Sequence, residues 1–436
     1  MRVETFYKSI ELLQCAPAHR RERRNVTTAK NLSMGGCYNM RTLVYHANLI
    51  LKDCIRYGYL IVQDSIIQQI SLGEPPCDIV CDRKIDLKGQ YLAPGFVELH
   101  SHGAGGADFM DGTIEAFAVA CNTHLEHGTT TLLPTALAAT KEEILRSIDS
   151  FRQAKEALTG NSLYLHGLHM EGPYLNPAQC GAIDPKYIRN PEPEEYEMFL
   201  EYGRGMIARW TLAVELEGAT RFAERLLEEG ILPSIGHSNA EYAQVKEAFN
   251  HGVTHTTHLY SAMSTIIRRS GFRHSGVLES AFCIPEMTVE LIADGCHLPT
   301  ELLEMVYRFK GVERVALTCD SMRCAGQDVK ESILGSLENG QKVVIEDDVA
   351  KLMDRSAFAG SIATDDRLIR VMYHKAGVPL CDAVRMMTLT PASIIGLDRR
   401  KGSLECGKDA DIVCFDDDIC ISGVMVGGKG LVGCLI

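Results

Sequence analysis

The apolar positions along this chain change their period twice. From 40 to about 91, short β-prone runs (TLVYHANLIL, YLIVQD, SIIQQISLG) are separated by polar turns, the pattern of strands. The same character returns near the end in DADIVCFDDD and SGVMVGG. Between them lie eight apolar runs with strand character: YLAPGFVELH, TTTLLPTA, LYLHGLHMEG, RWTLAVEL, ILPSIGH, VTHTTHL, TVELIAD and RVALTCD. Helix-like stretches separate most of them, among them TKEEILRSIDSFRQAKEAL, ATRFAERLLEEG and NAEYAQVKEAFNHG. Several end in Gly, which suits a helix C-terminus. Strand–helix alternation implies parallel βαβ units, and eight units in roughly 250 residues is the size of a TIM barrel.

The expected fold class is therefore α/β, a TIM-type (β/α)8 barrel with a small β-sandwich domain formed by both chain ends. The expected divisions are a non-catalytic N-terminal arm at 1–39, the first part of the small domain at 40–92, the barrel at 93–398 and the second part of the small domain at 399–436. A doubly wound sheet would need a phosphate fingerprint, and no G-x-G-x-x-G follows the first strand. The arm carries a basic cluster, RRERR, at 20–24 without a clean apolar segment after it. Transit peptide, disordered arm and sequence upstream of a start at Met34 or Met40 are the readings open for it.

Composition narrows the function classes. The 436 residues are 46% hydrophobic and 23% charged, as in an ordinary globular protein. A net charge of -13 argues against a nucleic-acid binder. It leaves room for a small anionic substrate, which needs only a local positive pocket. The 16 cysteines are scattered without a C-x-x-C pair, which suits reduced thiols and a cytoplasmic setting. No apolar run reaches the length that spans a bilayer.

Residue types that bind metals collect at the ends of the apolar runs. In a TIM barrel that is where the active site lies. The first strand ends in His100-Ser101-His102, and residues two apart on a strand share a face. Alone, such a pair is more often two core or surface histidines; its place after an apolar run and before a Gly-rich loop raises the odds of ligands. The third strand ends in His169-Met170-Glu171. A carboxylate at an apolar strand tip costs desolvation unless it is paired or bound to metal. The fifth strand ends in Gly236-His237, the sixth in His255-Thr256-Thr257-His258 and the eighth in Cys319-Asp320. His258 is the better ligand, with His255 behind it. Asp320 suits a general acid/base beside a metal-bound water. The expected metal set is His100, His102, Glu171, His237, His258 and Asp320, holding one or two divalent ions of zinc, iron or manganese.

These motifs resemble the N-acetylglucosamine-6-phosphate deacetylases of the amidohydrolase superfamily. The resemblance runs from about Thr42 to Gly428, through APGFVELHSHG, HMEGPYLNP, IGHSNA, THTTHLYSAMS, ELIADGCHLP, LTCDSMRCAG, FAGSIATDDRLIR and RKGSLECGKDADIV. It implies hydrolysis of N-acetylglucosamine-6-phosphate to glucosamine-6-phosphate and acetate, and a homodimer. His100 and His102 match the pair that accompanies a second metal in some members. Glu171, His237 and His258 match the metal site common to the family, and Asp320 the catalytic aspartate. His297 matches a substrate-contacting histidine, Arg273 a phosphate-contacting arginine, and Ala262 a backbone contact to phosphate; Ala182 and Ser261 complete the substrate set. There are departures. Ser261 stands where Asn is common, Ile183 where some members have a substrate-facing His, and Cys319 where Thr is usual. The RRSGFRHSG stretch is long, so Arg268 or Arg269 could take the place of Arg273.

Two rival functions remain. A cyclic amidase of the dihydroorotase or hydantoinase type resembles this pattern but bridges its metals with a modified lysine, and Glu171 takes that place here. A non-catalytic barrel kept as an interaction protein would have lost ligands, and all six are present.

Overall fold

The structure, a computed structural model, describes residues 40–436. The 1–39 arm, with its basic cluster and Met34, lies outside the described residues.

Eight strands run parallel in chain order: Phe96–Ser101, Thr129–Leu137, Leu168–Glu171, Ile207–Leu212, Leu232–Ile235, His255–Thr256, Thr288–Ile292 and Val315–Thr318. They fall within the eight apolar runs, although the first run is divided, with Tyr91–Pro94 in the sheet beside the barrel and only Phe96–Ser101 in the barrel, and each strand pairs with the next. Helices occupy the crossovers. Lys141–Leu158 starts at a capping box in which Thr140 and Glu143 satisfy each other's backbone N–H. Its buried face repeats at helical spacing through Ile144, Ile148, Phe151 and Ala154. Outward-facing Trp210 on the fourth strand packs against Tyr174 and Phe222. Burying each such side chain contributes roughly 1.5–3 kcal/mol.

The barrel closes without a full ladder. The eighth strand meets the first through a single parallel bridge, Ser101 to Ser321, and the N–H of His102 donates to Ser321 O at 2.8 Å. Below it the carboxylate of Glu98 does the work of missing ladder bonds. It accepts from the N–H of His100 at 2.7 Å, the N–H of Cys319 at 2.8 Å and the hydroxyl of Thr318. Two strands that carry three of the six expected ligands are thus joined by a side chain.

Both chain ends meet in one eight-stranded sheet beside the barrel. Arg41–Ile50, Ile55–Gln63 and Ile66–Leu72 form a meander, and Tyr91–Pro94 lies parallel to Arg41–Ile50. Ile412–Phe415 then pairs antiparallel with Tyr91–Pro94, followed by Ile421–Val426 and Lys429–Gly433. One face builds its own core from residues such as Val44, Leu60, Ile412 and Met425, while Val413, Phe415 and Val424 join the main core. Gly95 joins this sheet to the first barrel strand, where a Cβ would stand 2.2 Å from Thr130 Oγ1.

Two additions lie at the C-terminal end of the barrel strands. A hairpin, Ile267–Arg269 with Phe272–His274, follows the sixth strand. A three-stranded antiparallel sheet, Glu331–Leu334, Gln341–Glu346 and Val349–Leu352, follows the eighth. The latter is tied down where Gln341 Nε2 donates to Ala182 O at 2.7 Å.

Candidate active site

Six side chains from five strand ends converge on one point. Glu171 stands at the centre, buried at the tip of the third strand. Its Oε1 lies 3.1 Å from His237 Nε2 and 3.0 Å from His258 Nε2. Its Oε2 lies 3.3 Å from His102 Nε2. Asp320 Oδ1 lies 3.2 Å from His102 Nε2 and 3.4 Å from His100 Nε2. The two nitrogens of the H-x-H pair are 3.3 Å apart. Bonds of about 2.0–2.2 Å to one ion place tetrahedral ligand atoms about 3.3–3.6 Å from each other. The donor set and its spacing therefore fit divalent metal, with Glu171 facing two groups at once.

The backbone is bent to achieve this. His237, His258 and Asp320 have φ of 48°, 26° and 44°, a left-handed region that costs non-glycine residues of order 1–3 kcal/mol each. Each lies just past its strand, so the turn aims the side chain across the barrel mouth. Electrostatics agree with the geometry. Burial opposes a charge on His100 and His102, yet the carboxylates of Asp320 and Glu171 prevail and raise them to about 10 and about 9. Burial likewise opposes ionisation of Glu171, and the surrounding histidines hold it well below the usual carboxylate range. The site favours positive charge.

Beneath the mouth lies a polar tier. Arg209, from the fourth strand, donates to Leu99 O on the first at 3.2 Å, to Ser234 on the fifth at 3.0 Å and to Thr257 at 2.8 Å. It pairs with Glu290 on the seventh, with one contact at 2.9 Å. Bonds to so many strands are made only across the barrel interior. His255 sits in this tier, 3.5 Å from Glu290, and His169 bonds Thr211 at 2.7 Å. Glu290 Oε2 also lies 3.9 Å from His100 Nδ1. Sequence reasoning overlooked Arg209, Glu290 and Glu98; the available signal was a charged residue inside an apolar strand.

A cavity of about 800 Å³, counting its open mouth, lies over the convergence point. Ala182, Ser261, Ala262 and His297 all line it, as do Ile183 and Phe358. His297 Nδ1 is 2.8 Å from Asp294 Oδ2, so Nδ1 carries the proton and Nε2 is left for a ligand. Arg273 is not brought to the cavity. It sits exposed on the hairpin, opposite Arg268, and Arg269 pairs with Glu241.

Comparison with known proteins agrees. The model of the amidohydrolase family matches residues 91–431. The N-acetylglucosamine-6-phosphate deacetylase of Haemophilus influenzae is 32% identical over 86% of this chain and 95% of its own. That of Bacillus subtilis is 30% identical over 84% and 91%. A variant of the Mycobacterium smegmatis N-acetyl-D-glucosamine-6-phosphate deacetylase, in complex with N-acetyl-D-glucosamine-6-phosphate, superposes with a TM-score of 0.82 at 30% identity, covering 90% of this chain and 100% of that one. An enamidase at 15% identity and a TM-score of 0.56 shares the fold over 90% of this chain and 96% of its own.

Proposed function

The chain belongs to the amidohydrolase family, and within it to the N-acetylglucosamine-6-phosphate deacetylases; from that premise we propose that it hydrolyses the acetamide of N-acetylglucosamine-6-phosphate to glucosamine-6-phosphate and acetate. The observation that carries the reading is the convergence of four imidazoles, Glu171 and Asp320 at the floor of a sugar-sized cavity.

Residues fall into roles. His100, His102, Glu171, His237, His258 and Asp320 would hold one or two divalent ions, with each oxygen of Glu171 close to a histidine nitrogen. Zinc, iron and manganese all suit these donors. A divalent ion bound there activates water and polarises the acetamide oxygen. Asp320 takes the proton from the attacking water and passes it to the departing amine, which must be protonated to leave. His297 orients the sugar through Nε2. Ala182, Ser261 and Ala262 shape the wall around it.

The phosphate needs a cation, and no lysine or arginine lines this cavity among the described residues. We place the missing charge on the hairpin of a second copy of the chain. Its exposed Ile266, Ile267 and Phe272 suit a subunit contact, and Arg268 and Arg273 stand beside them. The enzyme is on this reading a homodimer. The free thiols throughout the described residues support a reducing compartment, the cytosol. No helix among the described residues is long and apolar enough to cross a membrane.

The test is acetate release by metal-loaded protein from N-acetylglucosamine-6-phosphate, with the unphosphorylated sugar and a cyclic amide in parallel. Preference for the phosphorylated sugar is expected. Activity on the cyclic amide alone would overturn the assignment.

A further inference from the structure

One aromatic side chain in the cavity has no part in the chemistry above. Phe358 lines the cavity but keeps 41% of its surface in solvent, whereas phenylalanines such as Phe96, Phe117 and Phe222 are fully buried. What distinguishes it from exposed phenylalanines elsewhere, such as Phe309, is its place in the cavity wall, where a bound molecule can cover the ring and gain from its burial.

The ring is held. A bridge joins Phe358 to Lys351 on the last strand of the three-stranded sheet. Next to it, Ala359 N donates to Ala350 O at 2.9 Å and Ser361 N donates to Asp320 O at 2.8 Å. Its backbone is thus fixed to the sheet on one side and to the catalytic turn on the other. The phenyl ring meets His297 edge to face, with centroids 5.0 Å apart and planes at 72°. His297 is itself locked. Asp294, almost fully buried, accepts from His297 Nδ1 and from the N–H groups of Cys296 and His297, all at 2.8 Å. Arg367 Nε donates to Asp294 O at 3.0 Å. The residues flanking Phe358 in the wall, Ala357, Ala359 and Gly360, are small and leave the ring prominent.

A pyranose presents a face of C–H groups, apolar and weakly positive, and an aromatic face carries the complementary negative quadrupole. We propose that Phe358 is the platform on which the sugar ring of the substrate stacks, braced by His297, so that it selects a closed amino-sugar ring over an open-chain N-acetyl compound. The proposal rests on the deacetylase reading and adds the residue that recognises the ring.

The experiment compares Phe358→Leu and Phe358→Trp with the unaltered enzyme. The substrates are N-acetylglucosamine-6-phosphate and its reduced, open-chain alditol phosphate, which keeps the acetamide and the phosphate and lacks the ring. Leucine keeps apolar bulk and removes the π face. It is expected to raise KM for the closed sugar roughly threefold to tenfold, the worth of an aromatic contact. The same substitution should leave KM for the alditol unmoved, and Phe358→Trp should restore selection of the ring. An unchanged KM in Phe358→Leu, or an equal rise on both substrates, would overturn the platform while leaving the deacetylase intact. Absence of acetate release by the unaltered enzyme would instead remove the underlying reading, and the proposal with it.

Discussion

Asp320 combines a left-handed backbone, burial and two imidazole neighbours. Burial works against its ionisation, but His100 and His102 hold it below the usual carboxylate range. The carboxylate is therefore held ionised beside those imidazoles, the form that can accept a proton. Asp320→Asn is expected to lower kcat by roughly 10²–10⁴-fold, the contribution of general acid–base catalysis. Product binding, measured by calorimetry, should persist; near-normal kcat would move the role elsewhere. The pair beneath the site behaves differently. Arg209→Leu strands the Glu290 carboxylate inside the barrel, and loss of one partner of a buried pair costs about 3–5 kcal/mol. Denaturant unfolding should show that loss, and Arg209→Leu with Glu290→Leu should recover much of it. At this scale the sequence was informative in one direction only. His100, His102, Glu171, His237, His258 and Asp320 follow apolar runs, so strand-end logic singled out side chains that the fold brings together. Glu98, Arg209 and Glu290 were visible as charges within apolar strands, but their partners come from other strands, and no local pattern encodes that pairing.

Among the elements, those whose identity rests on local periodicity were legible. The helix at Lys141–Leu158 announces its cap and its apolar stripe, and the eight strands stand out as apolar runs. The hairpin at Ile267–Arg269 and Phe272–His274 and the three-stranded sheet after it did not stand out. The hairpin's strands are short and exposed, and those of the sheet are short and mostly half-buried, so no alternation marks either. The short helix Asp365–Arg370 allows a test in pH. Its Asp366 is buried, which disfavours charge, but His127 at 3.1 Å and Arg370 at 2.8 Å bring its carboxyl down to about 2. A carboxyl depressed in the folded state stabilises above its ordinary value and loses that effect as pH falls through the folded one. Asp366→Asn should therefore cost about 2 kcal/mol near neutrality. The gap from the unaltered protein, followed by urea unfolding, should close between pH 4 and pH 2. A gap independent of pH would assign the loss to packing.

At the scale of the whole molecule, the cavity gathers the candidate metal-binding side chains, and among the described residues no lysine or arginine lines it. If the hairpin of a second copy supplies the cation for phosphate, two defective chains should repair each other. Arg273→Ala and Asp320→Asn are each expected to be poorly active alone. Mixed dimers contain one site with an intact Asp320 and a neighbour's intact arginine, so equal mixing should raise activity toward about one quarter of normal, the share of complete sites that chance pairing gives. No recovery in verified mixed dimers would place the arginine in its own subunit's site or out of the reaction. The sheet built from both chain ends also bears on synthesis. Tyr91–Pro94 emerges from the ribosome more than three hundred residues before Ile412–Phe415, the strand that covers its edge. Until Ile412–Phe415 has been made, that edge is open to any extended segment nearby. That edge must therefore avoid other partners for as long as the barrel lying between the two strands is being made.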